Sequence, residues 1–541
     1  MALVTCIRSI QQPLRQIRIN VSALLKKGQK KPFLFQSAFA TAVAQPFIVQ
    51  KNTSVSDVFV SKSEPKLVVS QIKIFINGCL FIFHAIMRCI RYLVIFTPVI
   101  GFYLVTAASG KWFEAWSRSL LFAIELAGPV ATKLGQWAST RRDLFPADIC
   151  EILCRLQRRT KPHRWGKTQS IIEEMFHRPI SEIFVKIDRV PVGSGCVAQV
   201  YKAKLTESAF ESLKADNPGN VKESVAVKVL HPGIERKFRV DLFIMKWGAQ
   251  FLNAIYWPLQ WLDLPRCVDE FEKIMLSQVD LRVEAENTNI FNHNFSSNGN
   301  VTFAKPLYPF VAEKVLVETY EEGVSIELFY TEEGKASTKK RLADIGANTL
   351  LKMIFKDNFV HGDLHPGNML VRKDYDSNPS PLLIILDCGI TTKLTQKDLK
   401  DLSDTFKAII LKQGKVVADL FLERSFNKCP NPQLFKQEME ALVMKLRGEK
   451  LTLRNTQVGA LMNDVFSLMI RHKVRVESQF SSVVLAIAVL EGVGRSLDPD
   501  MDLITIARPY VIKEMAREMF DSDKDFLEHF MEDGSLFSPF N

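Results

Sequence analysis

His361-Gly362-Asp363-Leu364-His365-Pro366-Gly367-Asn368, followed nineteen residues later by Asp387-Cys388-Gly389, limits this chain more than any other stretch. The pattern H-x-D-x-x-x-x-N supplies an Asp for an acceptor proton and, five residues on, an Asn for a magnesium ion. His361, Asp363 and Asn368 fall in that register. The next segment predicts a hairpin: Met369-Leu370-Val371, a polar turn through Asp374 to Ser380, then Leu382 to Leu386. Asp387 ends the second strand, where the metal-binding Asp of a D-x-G motif belongs. His-Gly-Asp alone is a common turn tripeptide, and an Asp at a strand end usually caps backbone donors. The joint register is what points to phosphoryl-transfer chemistry.

A chain of 541 residues with 47% apolar content buries a large core and divides into more than one domain. The net charge of +11 is unevenly placed. Residues 1–56 hold eight Lys or Arg and no acid, so the other 485 residues carry only about +3, and no basic footprint for nucleic acid is expected. Arg8, Arg15 and Arg18 alternate with Leu3, Val4, Ile7, Ile10, Leu14 and Ile17. This acid-free amphipathic start reads as a mitochondrial transit peptide over 1–56. Residues 72–110 form a hydrophobic, membrane-associated segment, with a helix expected over 92–108. Leu93 to Ala108 has no charge, and Ile74 to Met87 is a weaker candidate. The nine cysteines include no C-x-x-C pair, which fits reduced thiols without a disulfide framework or zinc site.

Pro191 to Ala203 reads as strand, small-residue turn, strand. Gly193, Ser194, Gly195, Cys196, Val197, Ala198 and Val200 match G-x-G-x-x-[GA]-x-V, whose small residues let backbone amides approach phosphates. Val225-Ala226-Val227-Lys228 then matches the V-A-I-K strand, whose Lys neutralises phosphate charge. Such a Lys needs a carboxylate partner. Asp280 and Glu284 stand four apart in an expected helix and share a face. Glu284 is assigned as the ion-pair partner and Asp280 as a second carboxylate facing the site. Glu284 follows Lys228 by 56 residues, so 233–275 reads as an insertion. Thr206–Ser224 and Thr331–Lys340 read as solvated insertions.

These residues resemble the aarF-domain (UbiB-type) atypical kinase family. Gly128 to Gln136, containing Lys133-Leu134-Gly135-Gln136, is similar to its K-x-G-Q helix, and Ser139 to Pro146 to the sequel. Asp280 to Asn287 resembles the E-x-D…E-A-x-N block, His361 to Asn368 the H-A-D-P-H-P-G-N loop, and Leu497 to Asp500 with Pro509-Tyr510-Val511 the C-terminal signature. The resemblance implies an α+β, protein-kinase-like bilobal fold with an N-terminal helical extension and a C-terminal helical region. Its parts are a K-x-G-Q extension over 112–182, an N-lobe over 183–326, and a C-lobe with C-terminal helices over 327–541.

It further implies ATP and Mg2+ as cofactors. Lys228 would contact phosphates and Glu284 orient it, Asn368 and Asp387 would hold magnesium, and Asp363 would be the catalytic base. Lys133 and Gln136 would lie on a helix over the cleft, obstructing protein substrates. Implied partners are mitochondrial membrane lipid, coenzyme Q biosynthetic proteins and lipid intermediates. Three departures are present. Gly193-Ser194-Gly195-Cys196 replaces an Ala-rich loop, Gln278 replaces the E-x-D Glu, and Cys388 replaces the D-F-G Phe. They most resemble a mitochondrial subset of the family. A membrane-bound ATPase or atypical kinase, a protein Ser/Thr kinase and a nucleotide-binding scaffold all stay open at this point.

Overall fold

The computed structural model describes residues 65–512 apart from 110–111, 157–161, 217–222, 332–333, 373–380, 412, 426–427, 446–457, 476–477, 504 and 511. The transit peptide expected at 1–56 and the turn expected at Asp374–Ser380 lie outside the described residues. Residues 1–123 and 124–541 are two compact units.

The first unit is dominated by α1 (Pro65–Ser109), followed by α2 (Phe113–Ala127), which crosses the boundary. One continuous helix thus contains both apolar stretches, Ile74 to Met87 and Leu93 to Ala108. Its window Ile76–Ala107 has a mean hydropathy of 1.9 and is only 6% buried. At 1.5 Å per residue those 32 residues reach about 48 Å, more than a bilayer's apolar core. Pro98 lies inside the helix. Trp116 of α2 donates its indole N–H to the Val99 carbonyl at 3.2 Å, so its buried ring keeps a polar partner.

The second unit opens with α3 (Pro129–Thr140), α4 (Ala147–Cys154) and α5 (Trp165–Phe176). Gly135 lets α3 approach α4 closely, because a Cβ there would collide with the Leu156 side chain. A six-stranded sheet follows, begun by β1 (Phe184–Ile187), β2 (Gly193–Ser194), β3 (Ala198–Leu205) and β4 (Ser224–Leu230), with α6 (Glu207–Asp216) between β3 and β4. After α7 (Ile234–Ile255), α8 (Leu264–Ser277), α9 (Leu281–Asn294) and β5 (Val301–Phe303), it is completed by β6 (Pro306–Val311) and β7 (Val315–Thr319). The strand order is β1-β3-β4-β7-β6, with β2 on β3.

Period-two alternation gives this sheet two different faces. Val225, Val227, Val229, Val315 and Val317 enter one cluster with Ile172 of α5. The other face carries Ala226, Lys228 and Leu230, paired in register with Glu318, Leu316 and Ala198 on the flanking strands. The expected insertion 233–275 forms α7 and α8. Phe238, Leu242, Phe271 and Met275 pack with Val130 and Trp137, so these helices carry α3.

A mainly helical region completes the unit. It begins with β8 (Gly323–Ser325), α10 (Ala336–Leu351), β9 (Val360–His361), β10 (Met369–Arg372), β11 (Leu383–Ile385) and β12 (Thr391–Thr392). Helices α11 (Gln396–Ile410), α12 (Gly414–Glu423), α13 (Pro432–Lys445), α14 (Val458–His472) and α15 (Ser478–Leu497) follow. The expected hairpin forms, with Met369 opposite Ile385 and Val371 opposite Leu383. Helix α15 is apolar enough to span a membrane, yet its window is 61% buried, with Phe480, Val483, Ile487 and Leu490 in the core. The α+β arrangement expected of the body is the one observed: a sheet-rich half, then a mainly helical half.

Candidate functional site

Lys228 sits on the central strand β4 and points to the face opposite the valines. Its Nζ donates to Glu284 Oε1 at 2.6 Å and Oε2 at 2.8 Å, and to Asp387 Oδ1 at 3.1 Å. Glu284 comes from the first turn of α9, 56 residues away, and Asp387 from the end of β11, 159 residues away. Three separate elements therefore converge on one ammonium group. Lys228 and Glu284 are 12% and 7% exposed, whereas Asp387 is 49% exposed and opens to solvent.

The electrostatics are set by burial opposed by the neighbouring charges. Burial works against the Lys228 charge, but Asp387 and Glu284 outweigh it and raise its pKa. Burial pushes Glu284 up to about 7, with Lys228 pulling the other way. For Asp387, burial is outweighed by Lys228 and Lys133, which hold it below the usual carboxylate range. Glu318, on the same sheet face, is pushed up to about 8 by burial and by Glu284. Sequence reasoning missed Glu318, although an acid directly after Val315-Leu316-Val317 was a visible signal.

The H-x-D loop is fixed by a neutral, buried histidine. His361 Nδ1 accepts the Asp363 backbone N–H at 3.2 Å, while Nε2 faces the Leu386 carbonyl at 3.4 Å. Burial lowers its pKa, so one imidazole ties the loop to the strand bearing Asp387. Asn368 donates Nδ2–H to the Asp363 carbonyl at 3.1 Å, which leaves Oδ1 as an acceptor. The Leu386 N–H donates to the Asn368 carbonyl at 2.9 Å, so Asn368 and Asp387 end adjacent strands. Asp387 adopts φ 54°, a left-handed backbone rarely taken by non-glycine residues. Asn287 of α9 donates to the Cys388 carbonyl at 3.1 Å and secures that turn. Its role was another that sequence reasoning missed.

The donor set defines what could be held here. Among the described residues no group of three His, Cys, Asp or Glu side chains can enclose a metal. Asn368 Oδ1 and the Asp387 carboxylate are two hard oxygen donors, which suits Mg2+ sharing its sphere with phosphate oxygens and water.

The glycine-rich turn lies above Lys228. Gly193 pairs with Val200, and the Gly195 N–H donates to the Ala198 carbonyl at 2.9 Å. A Cβ at Gly193 would meet nothing within 4 Å, so open space lies beside the turn. Cys196 and Val197 turn inward to a cluster with Ala198 and Val130, and burial raises the Cys196 thiol. They contribute backbone to the turn and side chains to the core. His231 Nε2 lies 2.8 Å from the Gly195 carbonyl, and its Nδ1 lies 2.8 Å from His163 Nδ1.

Lys133 on α3 is close enough for its charge to act on both Asp387 and Cys196. Gln136, one turn on, is half-buried. Beyond α3, Arg141 bonds Asp143 at 2.7 and 2.8 Å and Glu270 at 3.2 Å, and Arg142 bonds Asn463 of α14 at 2.6 Å. These bonds anchor the extension to α8 and the C-terminal helices. Gln278 caps α8, and its buried Oε1 has no hydrogen-bond partner.

Asp280 does not face the cleft group. It is the N-cap of α9, accepting the Arg282 N–H at 3.1 Å and gripping the Arg282 guanidinium at 2.7 and 2.9 Å. Its φ of −127° lies outside the helix, so the spacing that would align it with Glu284 does not apply.

A lysine clamped by two carboxylates under a glycine turn, opposite an H-x-D loop, defines a kinase-like site. Residues 155–421 match the ABC1 atypical kinase-like domain, and 447–502 match the UbiB helical domain. A mitochondrial ABC1 family protein of Schizosaccharomyces pombe is 32% identical over 83% of this chain and 73% of its own length. Another, from Saccharomyces cerevisiae, is 32% identical over 75% of this chain and 69% of its own. A Xylella fastidiosa protein named "Probable protein kinase UbiB" is 28% identical over 81% of this chain and 75% of its own. The chain belongs to the ABC1/UbiB atypical kinase-like family.

Proposed function

We propose that this protein is a Mg-ATP-dependent atypical kinase or ATPase of mitochondria, held to a membrane by α1 and supporting coenzyme Q and lipid metabolism. The observation that carries this reading is the Lys228 ammonium bound by both Glu284 and Asp387. Phosphoryl transfer depends chiefly on positioning and charge neutralisation, and these groups supply both.

Lys228 binds phosphate oxygens, with Glu284 holding its ammonium in place. The small residues of the turn from Gly193 to Ala198 let phosphates approach its backbone. Asn368 and Asp387 would hold Mg2+, which supplies charge neutralisation on the phosphates when bound. Asp363, half-exposed and with its backbone fixed by His361, accepts the proton of the attacking water or hydroxyl. Lys133 over the cleft favours a small acceptor or water above a protein chain, which disfavours the protein Ser/Thr kinase. The mitochondrial setting is supported by the named relatives, and the membrane by the apolar length of α1.

The test uses the full chain in liposomes. ATP hydrolysis without a protein acceptor, stimulated by lipid, is expected. Nucleotide binding without turnover, unchanged in Asp363→Asn, would replace this reading with the scaffold. Release of the full-length protein by carbonate would contradict a spanning α1.

A further inference from the structure

The cleft face of the sheet has an unused acceptor. Three cross-strand rows are read from the register: Ala198 with Leu230, Val200 with Lys228 and Leu316, and Lys202 with Ala226 and Glu318. Glu318 is therefore one row behind Lys228, roughly 7 Å further from the glycine turn, since two strand residues rise about that far. The Lys228 ammonium is directed to Glu284 and Asp387 and makes no hydrogen bond to Glu318. Lys202, in the Glu318 row, is instead drawn to Glu322 at 3.4 Å and to the Tyr320 ring at 4.2 Å. Among the described residues the Glu318 carboxyl makes no hydrogen bond, although it stands on a strand whose other four residues are buried and either apolar or bonded.

Resting on the nucleotide reading above, we infer that Glu318 selects the base, accepting a hydrogen bond from an exocyclic amino group at position 6 of a purine. Phosphates belong with Lys228 and the glycine turn, and an acid one row behind would repel them. Val200 and Ala226 offer the small apolar surface on which a flat base packs. The strand beyond Ala226 then meets the edge of that base, and Glu318 is the side chain there. A carboxyl oxygen accepts from an amino hydrogen in either protonation state.

The test measures Mg-dependent affinities of the full chain for ATP, for the 6-unsubstituted purine riboside triphosphate and for 2′-deoxy-ATP, by competition with a fluorescent nucleotide. Wild type is expected to prefer ATP over the 6-unsubstituted analogue about tenfold, the size of one hydrogen bond to a strong acceptor. Glu318→Leu should shrink that preference to less than about twofold, while Glu318→Gln, which keeps an acceptor, should retain most of it. Discrimination of 2′-deoxy-ATP should be the same in all three proteins. Tight binding of both purines with equal affinity by wild type would overturn the assignment alone, as would full discrimination in Glu318→Leu. A Glu318→Leu effect confined to 2′-deoxy-ATP would also overturn it, moving the residue to the sugar. Failure of wild type to bind any nucleotide would overturn the proposed function and this assignment with it.

Discussion

Two buried ionic clusters in the second unit use similar residues to opposite ends. In the cleft, the point charge of Lys228 meets Glu284 and Asp387, and Asp387 stays 49% exposed. Beneath α3, the planar forks of Arg141 and Arg475 meet Asp143, Glu270 and Asp263, with Arg141 and Asp143 each only 2% exposed. Arg141 matches its fork to the Asp143 carboxylate, with both shut off from water. Arg475 reaches Glu270 and Asp263 at 3.6 Å, and together the two arginines hold α3 and α8 to the residues following α14. In the lysine cluster Asp387 stays open to solvent, and Asn368 keeps its Oδ1 as an acceptor. The Arg141–Asp143 pair and the Lys228 cluster are thus told apart by geometry and burial: a two-bond fork with both partners 2% exposed, against one ammonium shared by two carboxylates of which Asp387 is 49% exposed.

The comparison breaks most visibly at Arg141. Arg141→Met strands Asp143 in the interior and should cost about 3–5 kcal/mol of stability, read by chemical denaturation. Nucleotide affinity per folded molecule should stay within about twofold, because no cleft group is touched. Lys228→Met should cost less, about 2 kcal/mol, since Glu284 already sits near a pKa of about 7 and picks up a proton once its partner is gone. That variant should nevertheless lose nucleotide binding. Equal destabilisation by both substitutions would erase the distinction drawn between the clusters.

A third polar cluster sharpens the contrast, because it is neutral. His163 is lowered to about 4 by burial and by His231, and His231 is also lowered by burial. A histidine with a depressed native value binds fewer protons folded than unfolded. Its stability is therefore complete above the unfolded value of about 6.5 and is lost as pH falls toward about 4. The melting temperature should drop between pH 7 and pH 5, and the drop should shrink in His163→Asn. A pH-independent melting temperature over that range would contradict neutral histidines behind the glycine turn. The smallest effect is expected at Asp280: Asp280→Ala removes a helix cap for about 1 kcal/mol, with nucleotide affinity unchanged. A tenfold loss of affinity in that variant would return Asp280 to the cleft.

What the sequence made legible was local. His361, Asp363, Asn368 and Asp387 lie on one loop and one hairpin, where spacing fixes geometry. Lys228 was legible because a strand motif sets its face. Asp280 was misassigned to the cleft because counting four residues assumes both ends are helical, and its backbone is extended. Cys196 and Val197 belong to a turn motif yet point inward, since α3 covers them with Val130. Glu318 needed the register of β7 against β4, which no local pattern states. Arg141 and Glu270 meet across 129 residues, and nothing near either one announces the other. The insertion 233–275 gained a role only when its apolar face was seen beneath α3.

The central claim is that Asp387, clamped by Lys228 and beside Asn368, makes this cleft a Mg-nucleotide site. Titration of ATP into the full chain, with and without Mg2+, tests it most directly when wild type is set beside Asp387→Asn. The account predicts Mg-dependent binding by wild type and at least a tenfold loss of that dependence in the variant, whose amide cannot carry the charge. Identical Mg-dependent binding by the two proteins would contradict it.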